Sequence, residues 1–146
     1  MPSSEDFAKW QEAYADVVRQ AKIGKANARA KLRLARTNVE RARRSFAAND
    51  PDQALISAET AIVNAADAIL SLSGYRIRGK SGSHEARFAF PGLPAVFSAR
   101  SAEIESSRKL RNVAMYDSVG SVSVQLARDV IEAADSLVAA ATATVG

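Results

Sequence analysis

Arg108, Arg111, Asn112 and Tyr116 are the residues of this chain whose types and spacing most directly suggest chemistry. If the segment is helical, Arg108, Asn112 and Tyr116 recur at steps of four with Arg111 beside them, so two guanidiniums, an amide and a phenol share one patch. Such a patch suits an anion. Guanidinium forks match phosphate oxygens two at a time, while the amide and phenol orient what the arginines attract. A phenol is a weak general base at neutral pH, so the patch reads more readily as a binding surface than as a proton-transfer site. The competing reading is structural: Arg108 and Arg111 pair with acids such as Glu105 or Asp67 across helices, and Tyr116 plugs the end of a bundle.

A second feature is electrostatic. Between Arg19 and Arg44 stand ten Lys or Arg and one acid, Glu40, a local net charge of +9 in a chain of +4, which leaves the rest at −5. Arg29, Arg33, Arg36 and Arg43 recur at helical spacing one position after the apolar stripe, a ridge about 100° around the helix from the core. The ridge is equally consistent with neutralising phosphates in a salt-sensitive way, with a solvated helix face, and with meeting an acidic partner surface. Trp10, Tyr14 and Phe46 lie on apolar stripes, where packing explains them better than base stacking.

Composition removes several classes of chemistry. The 146 residues contain no cysteine and one histidine, His84, so disulfides, thiolate metal sites, a cysteine nucleophile and His-rich zinc sites are excluded. No cofactor is implied. Asp50 and Asp52 flank Pro51 as a helix start rather than a metal pair, since no third ligand is evident. Gly74 and Gly79-Lys80-Ser81 match phosphate-loop spacing loosely, but the motif would need a preceding strand and here follows a helix. No stretch reaches the roughly eighteen apolar residues of a membrane span, and a soluble, cytoplasmic protein without membrane contact is expected.

The elements that must position these residues are helical. Phe7, Trp10, Tyr14, Val17 and Ala21 predict an N-terminal helix within residues 1–24. Ala28, Leu32, Ala35, Val39, Ala42 and Phe46 predict a second helix that stops near Asn49, and Leu55, Ala58, Ile62, Ala65, Ile69 and Leu72 a third. Residues 73–83, SGYRIRGKSGS, read as an exposed loop. A short helix over 84–90, a turn at 90–94, a long helix over about 95–115 and a final helix from Ser121 or Ser123 with a frayed tail complete the reading. No segment reads as a strand. The expected fold is all-α, an up-and-down bundle of four to five antiparallel helices in one domain over 1–146, with its core over 25–142.

From about residue 25 the chain resembles the HEPN family of small helical bundles found in prokaryotic toxin-antitoxin and defence systems. The resemblance rests on the order of AKLRLARTNVERARRSF, the acidic turn, ALISAETAIVNAADAIL, the basic glycine-rich loop ending at His84, and LRNVAMYD. It implies a homodimer that binds RNA or a nucleotide, and a cognate partner protein. Active members are metal-independent endoribonucleases with an arginine followed, after about four to six residues, by a histidine; the arginine stabilises phosphate charge and the histidine moves protons. Arg111 matches the arginine and Asn112 the polar residue after it. The histidine positions hold Tyr116, Asp117 and Ser118, so the segment is closer to subfamilies reading Arg-x-x-Ala-x-Tyr, for which ribonuclease activity is less secure. His84 corresponds to a histidine found where the loop enters the middle helix. The resemblance thus implies Arg111 and Tyr116 as the residues of any catalysis. Together with the helical patch and the basic ridge, this gives a candidate phosphate-binding set of Arg108, Arg111, Asn112, Tyr116 and His84, supplemented by Arg29, Arg33 and Arg36. The alternative from another class is a non-catalytic interaction module, the partner-binding half of a two-gene system.

Overall fold

The computed structural model describes residues 2–22, 24–117 and 120–146, with nothing stated for the side chain of Asp117. Helices dominate. The order is α1 (Ser4–Ala13), β1 (Val18–Gln20), α2 (Lys25–Ala47), α3 (Pro51–Leu72), β2 (Tyr75–Ile77), α4 (Ser83–Phe88), α5 (Ala95–Ala99), α6 (Ser101–Asn112), a π-helical turn (Val113–Asp117) and α7 (Val124–Val145). The bundle is built on α2, α3 and α7, which pack mutually, with α6 laid against α3.

The reason α3 lies at the centre is its composition. Alanines 54, 58, 61, 65, 66 and 68 are buried around much of its circumference, with Leu55, Ile62, Ile69 and Leu70 among them. Small side chains let α2 approach on one flank and α7 on another, and a helix apolar nearly all round must be covered on most sides. Among the described residues α3 is the one helix long and apolar enough to cross a membrane, and most of that apolar stretch is buried inside the bundle. On α2, Ala28, Leu32, Ala35, Val39 and Ala42 are buried, and on α7 Ala127, Val130, Ala134, Leu137 and Ala141. Asp50 caps α3 by accepting from the Gln53 backbone N–H at 3.1 Å, with Pro51 at the first helical position. Replacing that cap, Asp50→Ala, is expected to cost about 1 kcal/mol, measured as a lower urea midpoint at unchanged slope.

Four expectations are corrected. The N-terminal helix ends at Ala13, and Val17 and Val18 are buried in the turn and strand that follow. Strands do form: Val18–Gln20 pairs antiparallel with Tyr75–Ile77, so part of the glycine-rich basic segment is ordered by a partner some 57 residues earlier. The helix drawn over 95–115 is broken at Arg100, the C-cap of one helix and the N-cap of the next, and loosens into the π turn after Asn112. The tail is helical to Val145 because Ala141 and Val145 are buried.

A cluster of rings fixes the element that carries His84. Trp10 is buried and donates from its indole N–H to the Ala86 carbonyl at 2.8 Å, tying α1 to α4. Tyr75 meets Trp10 edge-on at 5.1 Å, and Phe90 packs on Trp10, Tyr75 and Phe7. Such pairs add about 0.5–1.5 kcal/mol each beyond their burial. Next to Ala86, which is turned inward on this cluster, Glu85 is exposed and Arg87 is largely buried against α3.

Candidate phosphate-binding cleft

A cleft of about 770 Å³ opens between α3, α4 with its preceding loop, and α6. Helix α3 supplies Glu59, Thr60 and Val63; the loop and α4 supply Lys80, His84, Glu85 and Arg87; α6 supplies Arg108, Arg111 and Asn112. Each position follows from local structure. On α6 the buried residues are Ile104 and Ser107, so Arg108, Arg111 and Asn112, one to five residues further on, project from the flank facing α4. Gly82 adopts φ +90, a left-handed conformation that turns the loop directly into α4.

Every guanidinium in the cleft faces a carboxylate. Arg87 Nε donates to Asp67 Oδ1 at 2.7 Å, joining α4 to α3 in a largely buried pair. Arg108 donates to Glu85 Oε1 at 3.3 Å, and both groups are substantially exposed. Arg111 Nε lies 3.0 Å from Glu59 Oε2. That last contact is close but misaligned: Nε is buried and makes no hydrogen bond among the described residues. A buried N–H without an acceptor costs on the order of 1–3 kcal/mol, so the atom calls for a compensating water, ion or functional role.

The acids are tuned in opposite directions. Burial pushes the Glu59 carboxyl above the usual range, and Arg111, Arg87 and Arg108 offset this only in part. Glu85 is held below the usual range, first by its own backbone N–H and then by Arg108, with His84 adding to the effect. His84 Nε2 is 2.7 Å from Glu105 Oε1, bridging α4 to α6, and its ring rests on Phe88. Lys80 has no ion pair among the described residues.

The residues singled out in the sequence separate into three places. Arg108, Arg111, Asn112 and His84 come together in the cleft. Tyr116 does not join them: it is 74 % exposed and lines no part of the cleft, because the i→i+5 turn over Val113–Asp117 rotates it out of the i, i+4 line. Its exposure also corrects the expectation that it plugs the bundle end. Ser118, the last of the three positions considered for a histidine, lies outside the described residues. Arg29, Arg33 and Arg36 line a separate notch between α2 and the end of α7. The acids expected opposite the arginines were also different ones, since Glu105 takes His84 and Asp67 takes Arg87.

Glu59, Arg87 and Lys80 were not foreseen as part of the site. Glu59 carried a signal, as the one ionisable side chain between Ala54 and Ala66 of an otherwise apolar and small-residue helix. As a set, the cleft offers a multidentate cationic wall, an amide, a carboxyl that holds its proton more tightly than usual, and an imidazole braced by a carboxylate. No protein-family model, curated protein or solved structure matches this chain.

Proposed function

We propose that the cleft binds the phosphate of RNA or of a nucleotide, in a HEPN-like protein that works as a homodimer within a toxin-antitoxin or defence pair. The observation carrying this reading is Arg111: its Nε–H is buried beside Glu59 without an aligned acceptor, and its guanidinium lines the cleft with Arg108, Asn112 and Lys80. An oxyanion seated there supplies the missing acceptor. It also offsets a cationic lining in which Lys80, Arg87, Arg108 and Arg111 outnumber Glu59 and Glu85.

Turnover is a separate matter. With Tyr116 outside the cleft, any metal-independent cleavage falls to the imidazole and carboxyl groups that line it, His84, Glu59 and Glu85, rather than to the phenol. Exposed Met115 and Tyr116, in the π turn that follows α6, supply apolar surface for a second copy of the chain.

The test is titration of the protein with a nucleoside monophosphate at low salt, read by calorimetry. Saturable binding is expected, about threefold weaker in Arg108→Ala, a loss of roughly 0.7 kcal/mol suited to a charge already paired with exposed Glu85. A wild-type protein that binds neither the nucleotide nor a short RNA would leave the alternative, an interaction module whose purified form is free of nucleic acid and recruits a partner protein.

A further inference from the structure

Lys25, Arg29, Arg33 and Arg36 of α2 are all exposed and lie on one side of the helix. At 3.6 residues per turn they fall within an arc of about 80° and span about 16 Å along the axis. Arg29, Arg33 and Arg36 line a notch of about 260 Å³, closed by Leu32 and by Thr142 and Gly146 at the end of α7. The Lys25 ammonium reaches the same end, 3.9 Å from where a Cβ on Gly146 would stand.

None of the four cations has a carboxylate within ion-pair distance among the described residues. The reason is visible in α7. Arg43 pairs with Asp135 across the same two helices, but from Ser136 to Val145 that helix contains no charged side chain. Small neutral side chains face the guanidiniums instead. Arg36 donates to the Thr142 hydroxyl at 3.1 Å, and that hydroxyl donates in turn to the Val138 carbonyl at 2.8 Å. Glu40, one turn beyond Arg36, makes no ion pair among the described residues and marks the end of the stripe. The contrast with the cleft is sharp, since there each guanidinium already faces an acid.

We propose that this stripe is a track for the sugar-phosphate backbone of a single nucleic-acid strand, gripped without regard to base sequence. A linear array of uncompensated guanidiniums suits a linear array of phosphates, each of which can take two N–H donors from one arginine. Two other occupants fit less well. A protein interface centres on a fully buried patch more apolar than the surrounding surface, and the stripe exposes no large apolar residue: Leu32 is buried and Leu34 points to the opposite side of α2. A membrane surface would need an apolar flank as well. Base stacking has no platform here, because no aromatic ring lines the notch.

The experiment is the salt dependence of binding to labelled uridine and thymidine oligonucleotides, comparing the wild type with Arg29→Gln/Arg33→Gln. Removing two phosphate contacts should flatten the plot of log affinity against log salt by about 1.4, at roughly 0.7 per cation on a single strand. Both oligonucleotides should show the same change, and Arg29→Lys/Arg33→Lys should retain most of the wild-type slope. The difference should persist in an Arg111→Ala background, which separates the track from the cleft. Both side chains are exposed and unpaired, so the urea midpoint should stay put and exclude unfolding as a cause. An unchanged slope in the Gln variant overturns the proposal. So does selective loss of binding to a polyglutamate peptide at constant oligonucleotide affinity, which would assign the stripe to an acidic protein.

Discussion

Arg111→Ala is expected to weaken nucleotide binding by about 30-fold, roughly 2 kcal/mol, while leaving the bundle folded. The guanidinium is the group in the cleft with a buried donor awaiting an acceptor, so its loss removes a charge-assisted hydrogen bond and the positive field around it. Folding should survive because the side chain is about one-third exposed and contributes no hydrogen bond from its buried nitrogen. The deletion does strand Glu59, whose carboxyl already holds its proton more tightly than usual and will hold it more tightly still without the guanidinium. Arg111→Lys should recover little, since an ammonium cannot present the planar fork. Calorimetry and a urea titration on the same samples measure the two halves of this expectation. Wild-type affinity in Arg111→Ala would move the site elsewhere.

Glu59→Gln is expected to tighten nucleotide binding at neutral pH by about tenfold, on the order of 1.4 kcal/mol. The Glu59 carboxylate stands where an incoming oxyanion would seek Arg111, so it competes for the same charge. A neutral amide of the same shape removes the competitor. The wild type should accordingly bind more tightly as pH falls through the raised Glu59 range, and the variant should lose that dependence. Stability follows the same proton. A carboxyl whose folded pKa lies above its unfolded value stabilises fully below the unfolded value, and that contribution is lost as pH rises through the folded one. Stability attributable to Glu59 therefore declines upward from the ordinary carboxylate range near pH 4.5. Glu59→Gln should be flat across that window, measured by urea midpoints at successive pH values. A variant that binds nucleotide more weakly than wild type would make Glu59 a binding group instead of a competitor.

The helices were legible because their signal is local. Leu32, Ala35, Val39 and Ala42 on α2, or Leu55, Ala58, Ile62 and Ala65 on α3, repeat at intervals that leave little freedom about which face is buried. Asp50-Pro51 announced the start of α3 for an equally local reason. The strand pair was not legible. Tyr75–Ile77 is three residues long and set among glycines and cations, and its pairing partner is remote in sequence.

The site divides along the same line. The i, i+3, i+4 relation of Arg108, Arg111 and Asn112 places them together whatever packs nearby. Tyr116 followed the same arithmetic and failed, because one π turn is enough to break the register. His84 reached the cleft through the ring cluster that seats α4 on Trp10, an arrangement no spacing rule encodes. Glu59 is the counterpart case: a lone acid in an apolar helix signals that something must compensate it, but only the fold says that Arg111 does.

The most direct test of the central claim is the side-chain Nε–H resonance of Arg111, assigned by its loss in Arg111→Lys and followed by ¹⁵N NMR during titration with a nucleoside monophosphate. The account predicts a saturable shift of that resonance, with the same dissociation constant found by calorimetry. A resonance that stays fixed while nucleotide binds, or while only the α2 arginines respond, would contradict it.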